Sequence, residues 1–341
     1  MKAAVYYGQD DIRIERIPVP KIDDDEILVE MKACGICGSD LMHWYLKSRA
    51  PLVLGHEPAG IVAEKGKKVR EFDVGERVFV HHHVADMTCH YCQNGDYTMC
   101  EQFHRSNIQP GGFAQYFKVP APNLELDTLK IPKHVSLEEA TLIEPVGCCI
   151  RALDKCGLKT GDSIAIIGAG PTGLIHTALS KVYGASETIV SDLIDFRLGF
   201  AKKFGADTII NPKEDDFAQI VKAKTQGRGV DIAVVTAPSL EAYKTGINAC
   251  RKGGRICVFA PTNPGKYLRI SPKELFFSET QMITSYSTSH LETRMALRLI
   301  ASGQIRVKGL ITHRFALEDV AEAFKMASEG AESLKVVILN K

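Results

Sequence analysis

The chain has 341 residues, more than one hydrophobic core usually supports, so two domains are expected. Its 42 basic and 41 acidic side chains nearly cancel and 45% of its residues are hydrophobic, which leaves no charge field for nucleic acid or an anionic membrane. The N-terminus lacks the apolar core of a signal peptide, no stretch reaches about 18 apolar residues, and ten cysteines in a chain this long fit reduced thiols; a cytoplasmic protein with no membrane partner is expected.

Residues 1–31 alternate like a half-buried antiparallel sheet, with Ala3, Val5 and Tyr7 first, then Ile12, Ile14 and Ile17, then Ile27, Val29 and Met31. No chemistry is expected from them. CGICGSD at 34–40 brings two cysteines three apart, the spacing of half a tetrathiolate site, yet no matching pair with short spacing lies close by; Cys37 on its own is the candidate ligand. In GHEPAG at 55–60, His56 stands between Gly55 and Glu57 and reads either as a metal ligand or as a hydrogen-bonded structural histidine. Strands and glycine turns up to residue 80 predict a compact, barrel-like β body.

Residues 83–101 form a polar lobe in which Cys89 and Cys92 have zinc-knuckle spacing and Cys100 adds a third sulfur. A closed structural zinc needs four ligands; Asp86 is the candidate fourth, with His90, His83 and Glu101 as alternatives. The run His81, His82, His83 reads either as a solvated face or as imidazoles near a cleft. Further on, Ser136 and Glu139 have capping-box spacing and start a helix. Glu144 follows in apolar surroundings, where a carboxylate is costly unless it is paired, hydrogen-bonded or metal-bound. Cys148, Cys149 and Cys156 read as packed thiols.

IAIIGAGPTG at 164–173 is a strand, a tight turn and a helix start. Gly168, Gly170 and Gly173, with Pro171 and Thr172 between them, let the backbone turn and leave free N–H groups facing a pyrophosphate. Asp192 closes the next apolar run and would accept hydrogen bonds from ribose hydroxyls, favouring NAD over NADP; it also reads as a helix N-cap, and Arg197 follows as a further cofactor contact. Alternating strands and helices continue through 208–210, 217–224, 230–235, 240–249, 255–259 and 282–286, the rhythm of a doubly wound parallel sheet. After a helix over 291–302, the strand, helix and strand of the tail are expected to complete the first module. The fold class is thus α/β, a Rossmann domain at 150–289 beside a mostly β domain at 1–149 and 290–341.

Taken as a set, CGICGSD, GHE, the cysteine lobe, GGFAQY, IEPV, GAGPTG with Asp192, and ITHRF resemble the zinc-dependent medium-chain alcohol and polyol dehydrogenases, near the sorbitol and threonine dehydrogenases, along essentially the whole chain. The resemblance implies a GroES-like catalytic domain, NAD, and two zinc ions per chain, one catalytic and one structural. It implies that Cys37, His56 and either Glu57 or Glu144 hold the catalytic zinc, and that Asp86, Cys89, Cys92 and Cys100 hold the structural one. Ser39 matches the hydroxyl that takes the alcohol's proton. The family's relay histidine would fall at Met42, so the neighbouring His43 becomes the candidate. Sorbitol dehydrogenases carry an arginine near Ser285, beside the tyrosine matching Tyr286, and this chain lacks that cation.

The expected activity is interconversion of a secondary alcohol, foremost a polyol or sugar alcohol, with its ketone by hydride transfer. L-threonine and small secondary alcohols or diols are the alternative substrates. A zinc-free quinone-reductase-like enzyme or an NAD-sensing binding protein is the more distant reading. A dimer or tetramer follows from the resemblance alone.

Overall fold

The computed structural model describes residues 1–340. Two units emerge, Met1–Gly147 with the tail from Thr288 onward, and Cys148–Ser287. In chain order the first unit contributes β1 (Lys2–Gly8), β2 (Asp11–Arg16), β3 (Ile27–Gly35), β4 (Leu52–Val53), β5 (Glu57–Lys65), β6 (Arg77–Val80), β7 (Tyr116–Val119) and β8 (Thr128–Lys130). The second unit contributes β9 (Ser163–Ile167), β10 (Glu187–Ser191), β11 (Thr208–Ile210), β12 (Val230–Val235), β13 (Cys250–Val258) and β14 (Gln281–Thr284). The tail returns β15 (Ile311–Ala316) and β16 (Lys335–Leu339) to the first.

In the first unit β15, β16, β3, β5, β6 and β8 lie side by side, β7 also pairs with β3, and β2, β1 and β4 make a second sheet. Ile27, Met31, Val78, Phe113, Phe117 and Ile338 fill the interior. Each such side chain contributes about 1.5–3 kcal/mol by leaving water. One expectation shifts by a residue. Tyr6, not Tyr7, is the buried tyrosine of β1, because Ala3 to Tyr6 are all covered and the alternation starts only at the strand's end. Two features of the register matter below: Gly35 at the end of β3 stands opposite Glu57 at the start of β5, and also opposite Val337 of β16.

The second unit is one parallel sheet in the order β11, β10, β9, β12, β13, β14, so the strand order changes direction between β9 and β12. That crevice is where doubly wound sheets bind dinucleotides. All five residues of β9 are buried, as a central parallel strand covered on both faces requires. Helix Pro171–Val182 follows β9 directly. Among the described residues no helix is long and apolar enough to cross a membrane.

Candidate metal centre and cofactor cradle

The β3–β5 register builds the first site. Because Gly35 faces Glu57, the chain leaving β3 at Cys37 passes the chain entering β5 at His56. Donor atoms of Cys37, His56 and Glu57 all lie within 4.8 Å of one another. Asp40, buried in the short helix Gly38–Leu41, holds both flanks of this group. Its Oδ2 accepts the amide N–H of Cys37 at 3.0 Å, and its Oδ1 stands 3.2 Å from His56 Nδ1. A carboxylate on Nδ1 turns Nε2 toward the cluster, the usual outer-shell device for an imidazole ligand. Burial by itself would lower the His56 pKa; the negative charges of Asp40 and Cys37 outweigh it and raise it well above the ordinary value.

Glu57 is fully buried, and its Oε2 is paired with Nζ of Lys335, itself almost completely enclosed. Burial pushes the Glu57 carboxyl up and the lysine opposes this, while nearby Glu144 adds to the rise. Gly35 makes room for the pair: a Cβ there would lie 2.0 Å from Glu57 Oε2 and 2.6 Å from Lys335 Cε. Glu144, buried in the first turn of helix Ile143–Cys156, stands outside the tight group of three donors. Ser39 Oγ is 3.5 Å from His56 Nε2. His43 opens the short helix His43–Leu46, and its Nδ1 is 2.8 Å from the hydroxyl of Tyr6.

The His81–His83 run is not a solvated face. His81 is fully buried with Nδ1 2.9 Å from Asp127 Oδ2, and Thr293 donates to both oxygens of that carboxylate. His82 packs against the His56 ring at 4.9 Å, and burial with neighbouring imidazoles pushes its pKa well down. His83 Nδ1 lies 2.6 Å from the carbonyl of Ser106. Of the three, His82 is the imidazole that backs the cluster.

A second group gathers donor atoms of Asp86, Cys89, Cys92 and Cys100, again within 4.8 Å. The lobe's core is small, Ala85, Cys92, Cys100 and Phe103. Asp86 shapes the turn with one oxygen, Oδ1 accepting the amides of Thr88 at 2.7 Å and Cys89 at 2.8 Å. Those N–H groups, Cys89 first, hold its carboxyl well below the usual range. Burial and the adjacent Cys89 push the Cys92 thiol up to about 12. His90, His83 and Glu101 are not in the group.

In the second unit the glycine-rich turn runs from β9 into the helix, with Gly170 as N-cap and Pro171 inside the first turn. A Cβ on Gly173 would lie 1.9 Å from the carbonyl of Gly168, so only glycine lets helix and turn approach this closely. Asp192 Oδ2 accepts the amide of Ala169 at 2.7 Å and Oδ1 that of Ile194 at 3.0 Å. The helix N-cap is Ile194, so the capping reading of Asp192 gives way to one in which the carboxylate bridges the glycine-rich turn and the end of β10. Arg197 Nη1 stands 3.8 Å from it.

Three residues escape sequence reasoning. Asp40 was visible inside CGSD yet carries no ligand signature, whereas Tyr6 and Lys335 lie far along the chain from what they touch.

Clustered Cys, His and Glu donors in one β-rich unit, with a glycine-rich turn on a parallel sheet in another, define a two-domain dinucleotide-dependent oxidoreductase. Residues 23–133 match the alcohol dehydrogenase GroES-like domain, and residues 171–302 match the zinc-binding dehydrogenase domain. The chain is similar to sorbitol dehydrogenase of Bacillus subtilis, 37% identical over 352 residues covering 99% of this chain and 97% of that protein. It is 35% identical over 351 residues to L-threonine 3-dehydrogenase of Pyrococcus horikoshii, covering 100% and 98%. Among solved structures it resembles 2R,3R-butanediol dehydrogenase from Bacillus subtilis, with TM-score 0.88, 27% identity, and 100% and 99% of the chains covered. The chain therefore belongs to the medium-chain dehydrogenase/reductase family, related to its zinc-binding alcohol, polyol and sugar dehydrogenases. General NAD-dependent oxidoreductase activity on an alcohol/ketone pair goes with that membership.

Proposed function

We propose that the protein is a zinc-dependent, NAD-linked dehydrogenase of secondary alcohols, foremost polyols or sugar alcohols. The observation that carries this reading is the convergence of Cys37, His56 and Glu57 donor atoms within 4.8 Å. A sulfur, a nitrogen and an oxygen suit a catalytic zinc with an open position. Cys37 and His56 would hold it with Glu57, or with Glu144 in its place. Such a zinc would supply Lewis-acid stabilisation of negative charge developing on the substrate oxygen, and NAD would supply the hydride acceptor.

The remaining work belongs to the chain. Asp40 fixes the His56 ring, and Lys335 balances the charge of Glu57. Ser39, 3.5 Å from His56 Nε2, takes the alcohol proton at Oγ and passes it on to His43. In the second unit the free N–H groups at the start of helix Pro171–Val182 bind pyrophosphate, and Asp192 binds the adenosine ribose. Asp86, Cys89, Cys92 and Cys100 would hold a second, structural zinc.

Assay of NAD reduction across sugar alcohols, cyclitols, L-threonine, 2,3-butanediol and simple secondary alcohols, with zinc counted on the same sample, tests this. About two zincs per chain and activity confined to polyhydroxylated compounds are expected. Activity with L-threonine alone would move the substrate to the amino-alcohol branch, which the 35% identity to a threonine dehydrogenase supports. Full turnover with no zinc would sink the mechanism. Light scattering on that sample tests the proposed dimer or tetramer.

A further inference from the structure

His43, six residues past Cys37 in the chain, has an unusual partner for a relay imidazole. Its Nδ1 lies 2.8 Å from the hydroxyl of Tyr6, thirty-seven residues earlier. Tyr6 is 5% exposed in β1, the middle strand of its sheet, paired with Ile12 on one side and Leu52 on the other. The hydroxyl is therefore a fixed point, whereas His43 is half-buried at the start of a four-residue helix. Burial, then the charge of Asp10, raises the Tyr6 pKa above its ordinary value, so the group is a neutral hydroxyl throughout the working pH range.

A neutral hydroxyl both donates and accepts. It accepts from Nδ1 when that nitrogen carries a proton and donates to it when it does not. A backbone carbonyl could only accept, and a carboxylate would favour the imidazolium. Tyr6 can hold the ring in one orientation through every protonation state while favouring none strongly. With Nδ1–H donated to this neutral oxygen, Nε2 can gain and lose a proton while the ring keeps its orientation, without a carboxylate's bias toward the imidazolium. No partner for Nε2 is found among the described residues, which leaves that nitrogen as the one that exchanges protons.

We propose that Tyr6 is the positioning residue of a proton relay in which His43 receives at Nε2 the proton that leaves the alcohol through Ser39. The inference rests on the dehydrogenase reading above. The balance is simple: the carbon gives its hydride to NAD, the alcohol O–H breaks, its proton passes by way of Ser39 to Nε2, Nδ1–H stays on Tyr6 Oη, and Nε2 releases the proton to water.

The test is a double-mutant cycle in zinc-loaded enzyme with Tyr6→Phe and His43→Gln, together with the 15N resonances of the His43 ring. Tyr6→Phe should lower kcat about three- to tenfold, a fraction of the ~100-fold at the low end of acid–base catalysis, with KM for NAD and zinc content unchanged. His43→Gln should lower kcat at least as much, and the double variant should be no worse than His43→Gln, because Tyr6 acts through His43. The His43 ring resonances should move in Tyr6→Phe. Additive losses, an unmoved ring, or full kcat in His43→Gln would overturn the relay while an active wild type keeps the dehydrogenase reading. A zinc-loaded wild type that oxidises no alcohol would overturn both.

Discussion

At the scale of single residues the cluster depends on groups that touch no substrate. Asp40 orients His56, so Asp40→Asn should weaken zinc binding about 10–100-fold, read by competition with a chromophoric chelator, with the fold intact. Among the described residues Lys335 is the ion-pair partner of Glu57, and breaking a buried pair costs about 3–5 kcal/mol. Lys335→Met should lower the unfolding free energy of the metal-free protein by that order, and added zinc should restore part of it; an unchanged urea midpoint would count against the pair. Asp192→Gly removes charged hydrogen bonds worth about 1.5–3 kcal/mol, so the ratio of kcat/KM for NAD over NADP should fall about 10–100-fold. An unmoved ratio would remove Asp192 from the ribose. Cys37 and His56 could be read from the sequence because glycines and an adjacent acid mark them out locally. Asp40 could not be assigned, since capping and ligand support look alike in CGSD, and Lys335 was hidden by a separation that only the β16–β3 pairing closes.

At the scale of elements the lobe is the weakest part, with a core of four side chains, two of them cysteines. Removing metal should raise hydrogen exchange across 86–100 while β3 and β5 stay protected; equal protection with and without chelator would make the lobe self-supporting. The second unit's elements were legible because β9 and β12 are short, nearly continuous apolar runs, whereas the helices Phe217–Lys224 and Leu240–Ala249 each carry one apolar face. Helices Ala121–Asp127 and Pro272–Ser278 were not, because each is seven residues long with a proline near its start, which reads as a turn. The strand expected at 255–259 begins earlier, at Cys250, with Gly253 and Gly254 inside β13, where the register against β12 shifts.

For the whole molecule, acid is the expected weakness. His176 is buried in helix Pro171–Val182, neither ring nitrogen finds a partner among the described residues, and burial pushes its pKa down to about 3. Unfolded, the same group titrates near 6.5 and binds a proton that the folded chain refuses, so stability falls as pH drops from about 6.5 to 3. At pH 5 this amounts to about 2 kcal/mol. His83, also pushed down to about 3 by burial first, acts in the same direction in the other unit. His176→Leu should therefore flatten the loss between pH 7 and pH 5 in urea unfolding followed by circular dichroism; a wild-type slope in the variant would assign the acid sensitivity elsewhere.

The place of β16 carries a consequence in time. Lys335 belongs to a strand that the ribosome makes well over two hundred residues after the segments bearing Cys37, His56 and Glu57. During synthesis β3 and β5 can pair and bring the three donors together, but the carboxylate of Glu57 then enters the interior without its cation. A metal ion captured by the nascent chain would meet that unbalanced charge, so translation order itself separates early ligand assembly from the finished site.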